Sequence, residues 1–320
     1  MKPQSTTAIG NHDSMPHHHP RNPGVPLDLT RLEDVRSDPA EVEEHLSKLG
    51  RHASRHAWRN PSLLLALRCT DLTTLANDDT PGRVRSLCRR GRRPFARTVE
   101  DAFRPPVPLQ VAAVCVYPAL VKVALAALSG SNIQVAVVAG GFPTPRVPLP
   151  RRLAEIRSAV ARGADEIDAV VDRNHILAAD WNALYEEVSA LRDACGPARL
   201  KTILGTGALA TLTEVARASL VAMAAGSDFI KTSTGKDNVN ATLPAGLVMA
   251  RQIRDYAEAT GYRVGIKPSG GLRTAADALG WLALVSRELG EEWLGPELFR
   301  IGASTLLTEI EREIASWATT

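Results

Sequence analysis

Histidine is scarce where a metal site would need it: beyond His56 the 320-residue chain contains only His175. A metal-dependent centre at strand ends takes several histidines, so the shortage argues against zinc, and nothing else in the chain asks for a metal or cofactor. Cysteine is sparse too. Cys69, Cys88, Cys115 and Cys195 form no CxxC pair, which excludes a disulfide frame and reads as reduced, buried thiols. No apolar run reaches the length of a membrane span, because Val121 to Val138 is broken by Lys122, Ser129, Ser131, Asn132 and Gln134. The amino terminus has no charged-then-apolar leader pattern, so a cytoplasmic protein with no membrane partner is expected. Charge is nearly balanced: 38 Lys and Arg against 35 Asp and Glu leave +3, and that total makes no case for nucleic acid.

What is present is aliphatic. Hydrophobic residues make up 44% of the chain and aromatics only 4%, so Ala, Val and Leu carry the core, as suits β/α repeats packed with small side chains. Residues 1–35, rich in Pro, His, Asn and Ser, read as a disordered tail, and 36–60 as a helical extension. From residue 61 to 320 apolar strand-like runs alternate with amphipathic stretches. Strands are expected at 63–72, 109–116, 133–139, 166–171, 200–204, 229–231, 263–267 and 298–301, each followed by a helix. Eight near-continuous apolar runs are what strands buried on both faces look like. Eight such units in about 260 residues predict an α/β protein with the TIM (β/α)8 barrel fold.

In that fold chemistry sits at the carboxyl ends of the strands, so charged residues at strand exits become candidates. Phe229-Ile230 delivers Lys231 to a polar Thr232-Ser233-Thr234-Gly235-Lys236 turn, and Val264-Gly265-Ile266 delivers Lys267 to Pro268-Ser269-Gly270-Gly271. The two lysines lie 36 positions apart, about one strand-helix-strand unit. On neighbouring parallel strands they share one site, and each disfavours the other's charge, leaving one poised as a nucleophilic amine. Asp71 and Thr73 close the first strand, Asp168 lies within the fourth, and Lys201 opens the fifth. Charges on apolar barrel strands are costly unless paired, so these residues should form one network, with Lys201 as a member. A carboxylate beside two lysines is also what proton transfer next to an imine requires. A purely structural ion cluster would leave the glycine-rich turns unexplained. Those turns, with Gly235, Lys236, Gly270, Gly271, Gly302 and Ser304, converge as an anion site for a phosphate.

Specific motifs now accumulate: Asp71-Leu72-Thr73-Thr74-Leu75, Val114-Cys115-Val116-Tyr117-Pro118, Ala139-Gly140-Gly141-Phe142-Pro143, Ala164-Asp165-Glu166-Ile167-Asp168, Leu200-Lys201-Thr202-Ile203-Leu204, Asp228 through Lys236, Gly265 through Gly271, and Arg300-Ile301-Gly302-Ala303-Ser304. From about Leu63 to Leu307 the chain resembles the deoxyribose-phosphate aldolase family, class I aldolases, and most of all their longer, animal-like form. The resemblance implies metal-free, reversible cleavage of 2-deoxy-D-ribose 5-phosphate to acetaldehyde and glyceraldehyde 3-phosphate in deoxyribonucleoside catabolism. It implies Lys231 as the Schiff-base lysine, Lys267 as the lysine that lowers its pKa, Asp168 in the proton relay, Asp71 and Thr73 on substrate hydroxyls, and a homo-oligomer. Ala208 replaces an acidic residue usual in the family, and Pro143-Thr144-Pro145 departs from its usual loop.

Two rival readings compete. Gly205-Thr206-Gly207-Ala208-Leu209-Ala210 matches G-x-G-x-x-A, and Asp228 lies downstream as an NAD(P)-dependent oxidoreductase would place it. That reading starts a dinucleotide unit in mid-repeat and leaves both lysines idle. Seven arginines, Arg83, Arg85, Arg89, Arg90, Arg92, Arg93 and Arg97, would suit a non-catalytic RNA-binding barrel. No aromatics interleave with them, which favours a solvated helix face.

Overall fold

The computed structural model describes residues 19–53, 59–95 and 109–318. Eight parallel strands form one sheet in the order β7-β6-β5-β4-β3-β2-β1-β8. They are β1 (Thr70–Thr73), β2 (Ala113–Val116), β3 (Gln134–Ala139), β4 (Glu166–Val170), β5 (Arg199–Ile203), β6 (Phe229–Lys231), β7 (Gly265–Lys267) and β8 (Ile301–Ala303). The sheet closes on itself where Ile266 donates to Leu298 O at 2.9 Å, Arg300 to Ile266 O at 3.1 Å and Gly302 to Pro268 O at 2.9 Å. This is the expected TIM barrel, with helices around it.

Helix starts follow from local chemistry. Thr211 and Thr274 form capping boxes with Glu214 and Asp277 at the helices 212–224 and 275–289. Each supplies the side-chain acceptor that the first free amides of a helix need. Outside the strands an apolar shell joins sheet to helices, with Ile167, Leu200, Ile230 and Ile266 fully buried.

Three boundaries differ from the sequence expectation. Residues 63–68 belong to a helix, Arg59–Arg68, and β1 begins only at Thr70. A run of Leu and Ala has high helix propensity, and a short apolar run cannot be assigned by periodicity alone. β8 falls at 301–303 and not 298–301, which puts Gly302 inside the strand. Thirdly, from Pro20 on, the segment read as tail is seated on the barrel. Asn22, 3% exposed, donates through its side chain to Met223 O at 2.7 Å and Ser227 O at 3.0 Å and accepts from Tyr256 Oη at 3.0 Å. Arg21 pairs with Asp228 at 2.9 Å, and the short helix Leu29–Asp34 buries Leu32. Residues 1–18 lie outside the described residues.

Candidate active site

The barrel interior is divided. β2 and β3 present Ala113, Cys115, Ala136 and Val138, which pack with Leu75, Tyr117 and Phe142. Charge stands on β1 and β4 to β7 and at Arg300, just before β8. Asp71, Glu166, Asp168, Lys201, Lys231, Lys267 and Arg300 are all at most 3% exposed. Lys231 and Lys267 are register partners on β6 and β7, and Asp168 and Lys201 are partners on β4 and β5.

Asp168 is the hinge of this network. Its Oδ2 receives Lys231 Nζ at 2.6 Å and Lys267 Nζ at 2.7 Å. Lys201 faces its Oδ1 at 3.3 Å, but without hydrogen-bond alignment, so Oδ1 is a buried acceptor with no hydrogen-bond donor among the described residues. Lys267 also donates to Asp71 Oδ2. Lys201 donates to Asp71 Oδ2 at 2.9 Å and to Glu166. Arg300 completes the set, reaching Asp71 Oδ1 at 2.6 Å and both oxygens of Glu166, at 2.7 and 3.1 Å.

Two glycines make room for this crowd. A Cβ at Gly265 would run into the Phe229 ring, and one at Gly302 would stand 3.2 Å from Lys267 Cε. The Phe229 ring lies under the cluster, with Lys201 Nζ 5.9 Å and Arg300 Cζ 5.8 Å from its centroid, within cation–π range.

The two strand-end lysines are driven apart electrostatically. Burial lowers the pKa of Lys231; Asp168 opposes this, Lys267 adds to it, and the net shift is downward. Burial acts on Lys267 in the same sense, but Asp168 and Asp71 outweigh it and its pKa is raised, so it stays charged. Desolvation would raise Asp168, yet Lys201, Lys231 and Lys267 hold it below the ordinary carboxylate range. Asp71 is likewise held down, by Lys201, Lys267 and Arg300. A formal count agrees. Four cations, Lys201, Lys231, Lys267 and Arg300, face three anions, Asp71, Glu166 and Asp168. One positive charge is in surplus, and Lys231, whose only carboxylate contact among the described residues is a shared oxygen, has its pKa lowered.

The other expected positions lie around the mouth. Thr73 ends β1 and donates from its hydroxyl to Asp71 O at 2.9 Å. Asp71 itself is fully buried with both oxygens occupied by cations, which places it in the charge cluster and not at the surface where a hydroxyl contact would be open. The β6 and β7 turns abut, since a Cβ on Gly270 would come 2.7 Å from Gly235 Cα. Gly235, Gly270 and Gly271 all have positive φ, 79°, 77° and 86°, backbone that only glycine adopts without strain. Lys236 is exposed and reaches Leu75 O at 3.0 Å, and Ser304 is exposed beyond β8. The amide of Gly302 is spent on Pro268 O, so that amide is not free for an anion. Sequence reading missed Glu166 and Arg300 as cluster members. The signal was there, since each is a charge within an apolar strand run, Glu166 two positions before Asp168 on the same face.

A cavity of about 840 Å³ is bounded by Thr144, Pro145, Arg173 and Ala208, and none of the three cluster lysines lines it. It includes Ala208 and the Thr144-Pro145 part of the loop that departs from the usual family pattern. The dinucleotide reading loses its footing here: at Gly207 a Cβ would collide with the Val239 carbonyl, so the turn is covered by protein, and the helix begins later, with Thr211 as its cap. Three of the six described arginines in and beside the helix Pro81–Arg92 are engaged within the protein. Arg83 pairs with Asp78 at 2.8 Å, Arg90 with Glu311 at 2.7 Å, and Arg92 donates to Ala127 O and Ser129 O, both at 3.1 Å. Arg97 lies outside the described residues. No helix among the described residues is long and apolar enough to cross a membrane.

Comparison with known proteins converges on one group. A model of the DeoC/LacD family of aldolases matches residues 69–307. The human deoxyribose-phosphate aldolase is 50% identical over 297 residues, 92% of this chain and 93% of that protein. The mouse enzyme of the same name is 50% identical over 295 residues, 91% and 93% of the two chains. Among solved structures, a tetrameric deoxyribose phosphate aldolase from Aeropyrum pernix shares the fold with a TM-score of 0.58 at 22% identity, covering 88% of this chain and all of that one.

Proposed function

The chain belongs to the deoxyribose-phosphate aldolases of the DeoC/LacD family, and we propose that it cleaves 2-deoxy-D-ribose 5-phosphate reversibly to acetaldehyde and D-glyceraldehyde 3-phosphate through a Schiff base on Lys231. The observation that carries this reading is the single carboxylate oxygen, Asp168 Oδ2, shared by Lys231 at 2.6 Å and Lys267 at 2.7 Å. It pairs a lysine of lowered pKa with one that stays charged, beside a carboxylate that can move protons.

The steps follow from that geometry. The neutral Lys231 amine adds to the C1 carbonyl of the open-chain sugar, and the carbinolamine loses water to give an iminium. The iminium withdraws electrons as the C3 hydroxyl gives up its proton, and the bond between C2 and C3 breaks. Glyceraldehyde 3-phosphate departs and an enamine is left on Lys231. Protonation at its carbon and addition of water release acetaldehyde and regenerate the amine. Asp168 serves the proton transfers at the C3 hydroxyl and at the enamine carbon, through the Oδ1 that no hydrogen-bond donor occupies among the described residues. Lys267, held protonated, keeps Lys231 from holding its own proton. Thr73 at the mouth binds a substrate hydroxyl. The turns carrying Gly235, Lys236, Gly270 and Gly271, with Ser304, take the phosphate. The same reading places the enzyme in the cytoplasm, in deoxyribonucleoside catabolism, as a homo-oligomer.

Following glyceraldehyde 3-phosphate release from 2-deoxy-D-ribose 5-phosphate tests this. Turnover that survives a chelator and is lost in Lys231→Leu is expected. A folded protein that leaves that sugar intact would refute the assignment.

A further inference from the structure

Arg300 and Glu166 lie in the same buried cluster as the reacting groups, yet neither has a contact with Lys231. Glu166 is 1% exposed and Arg300 3%. They face one another through two hydrogen bonds, 2.7 and 3.1 Å, Arg300 continues to Asp71 at 2.6 Å, and its Nε is taken by Pro296 O. Glu166 continues to Lys201, which contacts Asp71 and Asp168 in turn. An unbroken chain of shared charges therefore runs Arg300, Glu166, Lys201, Asp168, Lys231. A buried ion pair is weak evidence for stability, because an apolar pair of similar volume often serves as well. Something other than stability is needed to explain why this one is built into a chemical site.

We propose that Glu166 and Arg300 are positioning residues that set the charge state of Lys231 by fixing the number of charges sealed in the barrel. The inference rests on the reading of Lys231 as the nucleophile. With Glu166 present, the three carboxylates leave a surplus of one positive charge, which a neutral Lys231 removes. Without Glu166 two carboxylates would face four cations, the surplus would be two, and Lys231 would give up its proton at still lower pH. Removing Arg300 as well leaves two carboxylates and three cations and restores a surplus of one.

The groups that can alter this count are few. Around Lys231 stand Asp71 on β1, Cys115 on β2, Asp168 on β4, Lys201 on β5 and Lys267 on β7, while β3 contributes the uncharged Val138. Burial pushes the Cys115 thiol up to about 11, so it adds no charge at neutral pH.

The test is the pH dependence of borohydride trapping, with acetaldehyde as probe and the Lys231 peptide quantified by mass spectrometry. In Glu166→Gln the acidic limb should move down by about one pH unit, the effect of one charge roughly 10 Å away at an interior dielectric near 20. In the double variant Glu166→Gln/Arg300→Met the limb should return to its original position. A purely structural role would lower the denaturation midpoint and leave the limb unmoved. An unmoved limb in folded Glu166→Gln overturns the inference, as does a double variant displaced like the single one. If Glu166→Gln does not fold, Arg300→Met decides alone: three cations facing three carboxylates leave no surplus, so a limb moved up in pH supports the proposal and an unmoved limb refutes it. Absence of any Lys231 adduct in the unaltered protein would instead strike the nucleophile reading, and this inference with it.

Discussion

The two sides of the barrel interior are made to opposite rules. On β2 and β3 the inward side chains are Ala113, Cys115, Ala136 and Val138, none of which holds a charge at neutral pH. On β1 and β4 to β7, and at Arg300 just before β8, stand four cations and three anions. The boundary is abrupt: Val138 on β3 is the register partner of Asp168 on β4, and Ala113 on β2 that of Asp71 on β1. An apolar wall can neither solvate nor pair an ion, so every charge must find its partners on the other side. Sharing is then forced, and two lysines meet on one carboxylate oxygen. The contrast is what produces a lysine with a lowered pKa, and it can be broken or sharpened by substitution.

Removing the proposed nucleophile has the largest effect. Lys231→Leu should lower turnover on the order of 10⁵-fold, the scale on which loss of a covalent nucleophile is felt, as a steady-state assay would read.

Lys267→Leu comes next, with a loss of about 10²- to 10³-fold at neutral pH. Its charge disfavours the ammonium of Lys231, so removing it raises the Lys231 pKa. The acidic limb of the rate profile should therefore move toward alkaline pH.

Val138→Asp attacks the boundary from the apolar side. It adds a fourth carboxylate beside Asp168, balances the four cations and lets Lys231 keep its proton. A loss of roughly tenfold at neutral pH is expected, with recovery in alkali, because one more negative charge nearby makes the neutral amine about ten times scarcer. Full activity at neutral pH would contradict the charge count.

Acid should have no effect at neutral pH and a growing one below it. Asp71 and Asp168 are held below their ordinary pKa when folded. A depressed carboxylate contributes stability that is complete above its unfolded value, ~3.9, and declines as pH falls toward the folded value. The denaturant midpoint should thus be independent of these groups at pH 7 and drop below about pH 4. Lys231→Leu, which removes one of the cations on Asp168, should make that drop shallower.

How much was legible depends on the kind of signal. Repeating apolar strands announced the barrel, because a strand buried on both faces has to be apolar. Lys231, Lys267, Asp168 and Lys201 stood out as charges that such strands would not otherwise tolerate, and the structure brings them together. Glu166 and Arg300 broke the same rule, but they meet each other across the barrel, from β4 and from the residue before β8, and no spacing in the chain encodes that contact. Residues 63–68 were misread because Leu and Ala at a strand-like length are also a short helix. The segment from Pro20 read as tail because it is held by the hydrogen bonds of Asn22 and Arg21 and a few apolar anchors such as Leu32. Docking of that kind leaves no periodic pattern.

The central claim is that the divided interior makes Lys231, and no other lysine, the covalent partner of the aldehyde. The most direct measurement is to incubate the protein with acetaldehyde at neutral pH, reduce with borohydride, digest and map the modified lysines. The account predicts a single reduced adduct on Lys231, absent in Lys231→Leu and weakened in Lys267→Leu. An adduct on Lys201 or Lys267 in place of Lys231, or no adduct on folded protein, would contradict it.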